Sequence, residues 1–67
     1  MNRMQDDVMR ERQALNIKLG RLGPFIGGVV YYSLPKDEQL RLKEQFYCMR
    51  KYLRILDDRI AHFTEGK

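Results

Sequence analysis

The sequence predicts an all-α fold, an antiparallel helical hairpin that assembles into an oligomeric helical bundle. Three observations predict it. Leu42, Phe46, Met49, Leu53, Leu56, Ile60 and Phe63 follow each other by steps of four, three, four, three, four and three, with no Gly or Pro between them. A repeat of 3.5 residues keeps one apolar stripe facing a partner helix. A second apolar stripe precedes it, and a cluster of Gly and Pro separates the two. The third observation is size. A chain of 67 residues buries little of the surface it exposes when unfolded, yet 43% of these residues are hydrophobic. Self-association is the common remedy for so small a core, and the seam Leu42 to Phe63 is its expected interface.

The first helix is expected over about residues 2–22. Asn2 can cap it, and Asp6 and Asp7 suit its positive end. Met4, Val8, Leu15, Leu19, Leu22 and Ile26 recur at helical steps, with Arg12 at one seam position. The Arg12 stem can lie along the seam while its head reaches water or a carboxylate. Gly20, Gly23 and Pro24 then weaken the helix. Pro24 has no N–H and crowds the carbonyl four residues back, so it ends or kinks the helix, or begins a short new turn. Val29, Val30, Tyr31 and Tyr32 favour an extended backbone taken alone. A lone strand has nothing to pair with, so a kinked helix end or packed connector is expected.

Ser33-Leu34-Pro35-Lys36-Asp37-Glu38 is a start signal, with Pro35 at the first helical position and two acids in the first turn. The second helix runs from about Pro35 to Phe63, about 43 Å at 1.5 Å per residue. Thr64 to Lys67 is a frayed end. The hairpin leaves Met9, Ile17, Leu40, Tyr47 and Tyr52 uncovered, which again argues for an oligomer.

Composition excludes several function classes. One Cys and one His, Cys48 and His62, allow neither an intrachain disulfide nor a structural zinc site. They stand 14 residues apart on one helix, about 21 Å along its axis, so they cannot act together within a protomer. No enzyme activity, metal or cofactor is expected. The charged start of the chain is no signal peptide, and no apolar run reaches ~18 residues, so no membrane span is expected. With its free thiol, the chain is placed in cytoplasm.

Net charge is +4. Between Gln39 and Arg54 lie five bases, Arg41, Lys43, Arg50, Lys51 and Arg54, against one acid, Glu44. Such a face suits an anionic partner such as RNA or DNA; its plain alternative is a solvated helix face. The run Gly20 to Gly28 carries Arg21 and could admit a phosphate, or simply end a helix. It follows a helix and lacks Lys-Ser/Thr, so it is no P-loop. Gln45, Tyr52 and Arg59 are seven apart and share one line beside the seam, where they could grip a partner helix or flank a pocket. Tyr31 and Tyr32 could stack on nucleobases or cap the core.

The pattern Tyr31-x-x-Leu34-Pro35, Glu38-Gln39, Gln45, Met49, Tyr52, Leu56, Arg59-Ile60 resembles a family of small two-helix proteins of tailed bacteriophages. Leu15, Lys18, Leu22, Phe25 and Ile26 extend the resemblance into the first helix; Gly23-Pro24 and Gly27-Gly28 depart from it. In architecture alone the chain is similar to the phage anti-CBASS sponge, whose hairpins sequester cyclic nucleotides, and to a plasmid RNA-binding hairpin. The resemblance implies a phage anti-defence protein in the infected bacterial host. It would sequester a small anionic signal, a cyclic nucleotide, through Arg21, Tyr31, Tyr32, Lys36, Tyr52 and Arg59. The alternatives are a nucleic-acid-binding bundle, and an inhibitor gripping a host defence protein by its apolar face.

Overall fold

In the computed structural model, which describes residues 3–65, the expected helices form and a third, short one lies between them. The helices are α1 (Arg3–Phe25), α2 (Val29–Ser33) and α3 (Lys36–Glu65). Asn2, Gly66 and Lys67 lie outside the described residues. No strand occurs among the described residues.

α1 and α3 pack side by side. Arg12, early in α1, meets Asp57, late in α3, and Gly23, late in α1, faces the Phe46 ring. The helices are therefore antiparallel. The rod they form measures 50 × 14 × 14 Å. Its core is Val8, Leu15 and Leu56, with Leu19, Met49, Leu53, Ile60 and Phe63 packed against it. From Arg41 to Phe63, the seven predicted seam residues are the only ones not exposed. Period alone located that face, because one stripe per 3.5 residues leaves every other position in water. The seam residues that pack on this core meet α1 of the same chain, so a second copy can meet them only where they remain half-open.

Arg12 keeps its place in the core stripe of α1, and its Nε donates to Asp57 Oδ1 at 2.7 Å. Met4 departs from the expected stripe. It is 65% exposed, because Phe63, the last apolar residue of the seam, already packs on the cluster around Val8.

The connector differs most from expectation. α1 does not stop at residue 22; it passes through Pro24 and ends at Phe25. Proline removes only the hydrogen bond to the carbonyl four residues back, and the Ile26 N–H still reaches the Leu22 carbonyl at 3.1 Å. Gly27 ends the helix. Its φ of +93° is open to glycine and rarely to L side chains. Val29–Ser33 then turns as a short helix, which fits the expected packed connector and not a strand. Its donors find local acceptors, Tyr32 N–H to Gly28 O and Leu34 N–H to Tyr31 O. Ser33 does not open α3; its hydroxyl donates back to the Val30 carbonyl at 2.6 Å.

Gln39 locks this connector onto α3. It is buried, and its Nε2 donates to the carbonyls of Leu34 at 2.9 Å and Tyr32 at 3.5 Å. The Tyr31 hydroxyl donates in turn to the Gln39 carbonyl at 3.2 Å. Buried polar groups need such partners, since an unmet one costs about 1–3 kcal/mol.

Candidate ligand groove

Near the connector, α1 and α3 leave between them a groove of about 410 Å³. Its floor is apolar: Leu22 and Phe25 from α1, Leu42 and Met49 from α3. Lys18 and Arg21 from α1 and Gln45 from α3 form its polar rim. No acid lines it.

Helical geometry explains this grouping. Lys18, Arg21 and Phe25 follow each other by three and four residues, so they stand in one line on the flank of α1. Gln45 stands on the facing flank of α3, where its Nε2 contacts the Met49 sulfur at 3.6 Å. The ion pairs among the described residues are Arg12–Asp57, Arg41 with Asp37 and Glu38, and Arg54–Asp58. Lys18 and Arg21 take part in none of them. Two like charges one turn apart repel by about 0.2–0.5 kcal/mol. An anion between them removes that repulsion and gains charge-assisted hydrogen bonds.

A second groove, of about 440 Å³, is built from α3 alone, by Ile55, Asp58, Arg59, His62 and Phe63. Asp58 sits in its wall and pairs with Arg54 at 3.4 Å, so this groove is less suited to an anion. His62 Nδ1 lies 3.0 Å from the Asp58 carbonyl. Cys48 is exposed and free. No group of His, Cys, Asp and Glu that could hold a metal occurs among the described residues.

The structure distributes the six sequence-derived ligand residues widely. Arg21 lines the first groove and Arg59 the second. They do not meet within one chain. Tyr31 is 1% exposed, and its ring stands edge-on to Phe25 at 6.4 Å and to Tyr32 at 5.2 Å. It braces the connector. Tyr32 and Lys36 are exposed at the connector end of the rod. Tyr52 lies between the grooves on the Gln45–Tyr52–Arg59 line, and its hydroxyl donates to Glu11 of α1. Sequence reasoning did not assign Lys18, Phe25 or Gln45 to a site with Arg21. The spacing Lys18-x-x-Arg21-x-x-x-Phe25 carried part of that signal, two cations and an aromatic on one helical line.

The Tyr52 phenol is held above its ordinary value of 10.0, first by the hydrogen bond to Glu11 and further by desolvation and the Glu11 charge; Arg59 opposes this. A raised folded value means that the neutral phenol's bond supports the fold fully below pH about 10, and that the support is lost as pH rises through the folded value. Tyr52 should therefore ionise later than free tyrosine in a phenolate absorbance titration. Glu11→Gln should bring it back down. A titration left unchanged by Glu11→Gln would contradict the Tyr52–Glu11 bond.

No helix among the described residues is long and apolar enough to cross a membrane. A family model described as Sequestin matches residues 2–62. No curated protein and no solved structure matches the chain. The matched span runs through α1, the connector and nearly all of α3, and the chain belongs to the Sequestin family.

Proposed function

We propose that this chain sequesters a small anionic signalling molecule, a cyclic nucleotide, by stoichiometric binding in the groove between α1 and α3. The observation that carries the proposal is the Lys18–Arg21 pair, free of ion pairs, on the rim of an apolar groove with no acid in it. Phosphates take the guanidinium and ammonium, and a nucleobase takes the apolar floor and the Phe25 ring. The volume falls in the range of small-ligand sites, about 300–1,000 Å³. The family's name points the same way, to holding a molecule rather than converting it. On this reading the protein is a non-catalytic, homo-oligomeric anti-defence protein of a phage, acting in the cytoplasm of the infected cell. Tyr32 and Lys36 at the connector, and Tyr52 and Arg59 farther along the flank, join the site where protomers meet.

Nucleic-acid binding through the basic residues of α3 ranks second. Arg41 and Arg54 are already held by acids on their own helix, and Arg50 lies over the Phe46 ring at 5.8 Å. That leaves Lys43 and Lys51 as the uncommitted cations of the expected face.

Calorimetry and thermal shift against cyclic dinucleotides, cyclic trinucleotides and ADP-ribose-type signals test the proposal. A true ligand at a hundred times its dissociation constant adds about 2.7 kcal/mol, or roughly 10 °C or more for a chain of this size. Saturation should be stoichiometric, with the ligand recovered unchanged. If no nucleotide shifts the melting temperature while a host protein co-purifies, the proposal fails. Micromolar RNA binding with a steep salt slope would instead promote the second reading.

A further inference from the structure

We propose that the outer face of α3 is a docking surface for an acidic amphipathic helix of another protein, on the side of the rod turned away from the groove. It stands apart from the sequestration reading, because it uses none of the residues assigned to the ligand.

The first observation that carries it is spacing. Leu40, Lys43, Tyr47, Arg50 and Arg54 follow each other by three, four, three and four residues. That is the step of a coiled-coil seam, a second one on α3. Each comes one position after a buried or half-buried residue of that helix, Gln39, Leu42, Phe46, Met49 or Leu53, and so stands about 100° farther around it. Gln45 of the groove rim lies two residues before Tyr47, about 200° around. A helix seated on the row therefore leaves the groove open.

The second is exposure and charge together. All five side chains are exposed, Leu40 at 62% and Tyr47 at 68%. Lys43, Arg50, Arg54 and the adjacent Lys51 make the row basic, with one acid, Glu44, at its edge. Lys43 and Lys51 take part in none of the ion pairs among the described residues. Arg50 lies over the Phe46 ring and Arg54 is held by Asp58, so both guanidiniums are already steadied at the surface.

The alternation of these residues selects the partner. One heptad position holds Leu40, Tyr47 and Arg54, and the other holds Lys43 and Arg50. A helix with apolar residues at one of its own seam positions and Asp or Glu at the other complements both sets. The phosphates of a nucleic acid would meet the bases but set charge against Leu40. A helix that lies on an anionic bilayer keeps its apolar and basic residues on separate faces, whereas here they share one line. Two copies of this chain meeting at the middle of the row would bring cation against cation. From Leu40 to Arg54 the row extends about 21 Å, so the interface is below standard size and the expected affinity is micromolar.

Fluorescence anisotropy with the whole protein and two labelled designed helices tests the docking. One helix carries Leu and Glu alternately at its seam positions, the other Leu and Lys. Wild type should bind the Glu helix with a micromolar dissociation constant, and the Lys helix at least about tenfold more weakly. Lys43→Glu/Lys51→Glu should reverse that preference. Its helical circular dichroism should be unchanged, since both side chains are exposed. The preference should shrink as salt screens it. Tyr47→Ala removes apolar contact and no charge, and should weaken binding of the Glu helix by at least about fivefold. A wild type that binds neither helix or both equally would overturn the proposal. So would a preference that the double variant leaves in place, or a Tyr47→Ala protein that binds as wild type does. An RNA hairpin or a phosphatidylglycerol vesicle bound more tightly than the Glu helix, and lost in the double variant, would also overturn it, because the row would then serve a phosphate surface. Nucleotide binding, read by calorimetry on the same proteins, decides sequestration separately. The double variant should bind nucleotide as wild type does.

Discussion

Leu56→Ala should lower the melting temperature by more than about 10 °C and leave much of the chain unfolded at physiological temperature. Leu56 is 0% exposed and central to the cluster that joins α1 to α3. Emptying such a site costs about 2–5 kcal/mol, the lost transfer energy plus the cavity. A domain of this size has only about 3–10 kcal/mol to lose at 0.05–0.15 kcal/mol per residue. Each kcal/mol shifts the midpoint of so small a domain by about 4–8 °C. Thermal circular dichroism would show the loss. A midpoint within a few degrees of wild type would mean that α1 and α3 do not pack through this residue. Leu40→Ala is the matched control. Leu40 is 62% exposed, so its truncation should barely move the midpoint of the monomer.

Reversing both rim charges, Lys18→Glu/Arg21→Glu, should abolish nucleotide binding by about a hundredfold or more while leaving the helices intact. A hydrogen bond to a charged group contributes about 1.5–3 kcal/mol. Two are lost, and two repulsions replace them. Both side chains are exposed and outside the core, so helical content should be unchanged. Titration calorimetry with the nucleotide that stabilises wild type makes the comparison. Affinity within a few-fold of wild type would remove the groove from the ligand site, even if sequestration itself were upheld. The double alanine variant should fall between the two, because it removes the attraction without adding repulsion.

How the site was hidden in the sequence follows from where its parts lie. Lys18 and Arg21 belong to α1, and Gln45 and Met49 to α3. Which residues of one helix face which of the other depends on the register between helices, and periodicity within each helix says nothing about that. Here the register is marked by Arg12 against Asp57 and Glu11 against Tyr52, pairs separated by 45 and 41 residues. The six expected ligand residues were gathered by chemical type, as aromatics and bases. The fold instead buries Tyr31 and divides Arg21 from Arg59.

The sequence by itself determined the two long helices, the buried face of α3 and the place of the break between them. Each of these depends on neighbours three or four residues apart, or on the backbone limits of a single Gly or Pro. It placed Leu56 and its six seam companions on the one face of α3 that is not exposed, because a strict 3.5-residue repeat admits one buried stripe. Only the tertiary structure decided that α1 runs through Pro24 to Gly27, that Val29–Ser33 coils, and that Tyr31 turns inward. The inward turn of Tyr31 depends on Gln39, eight residues away in another helix, which takes its hydroxyl and holds the carbonyls of Tyr32 and Leu34. The groove was decided in the same way, by the register of two helices against each other, and that register is set by contacts between residues far apart in the chain.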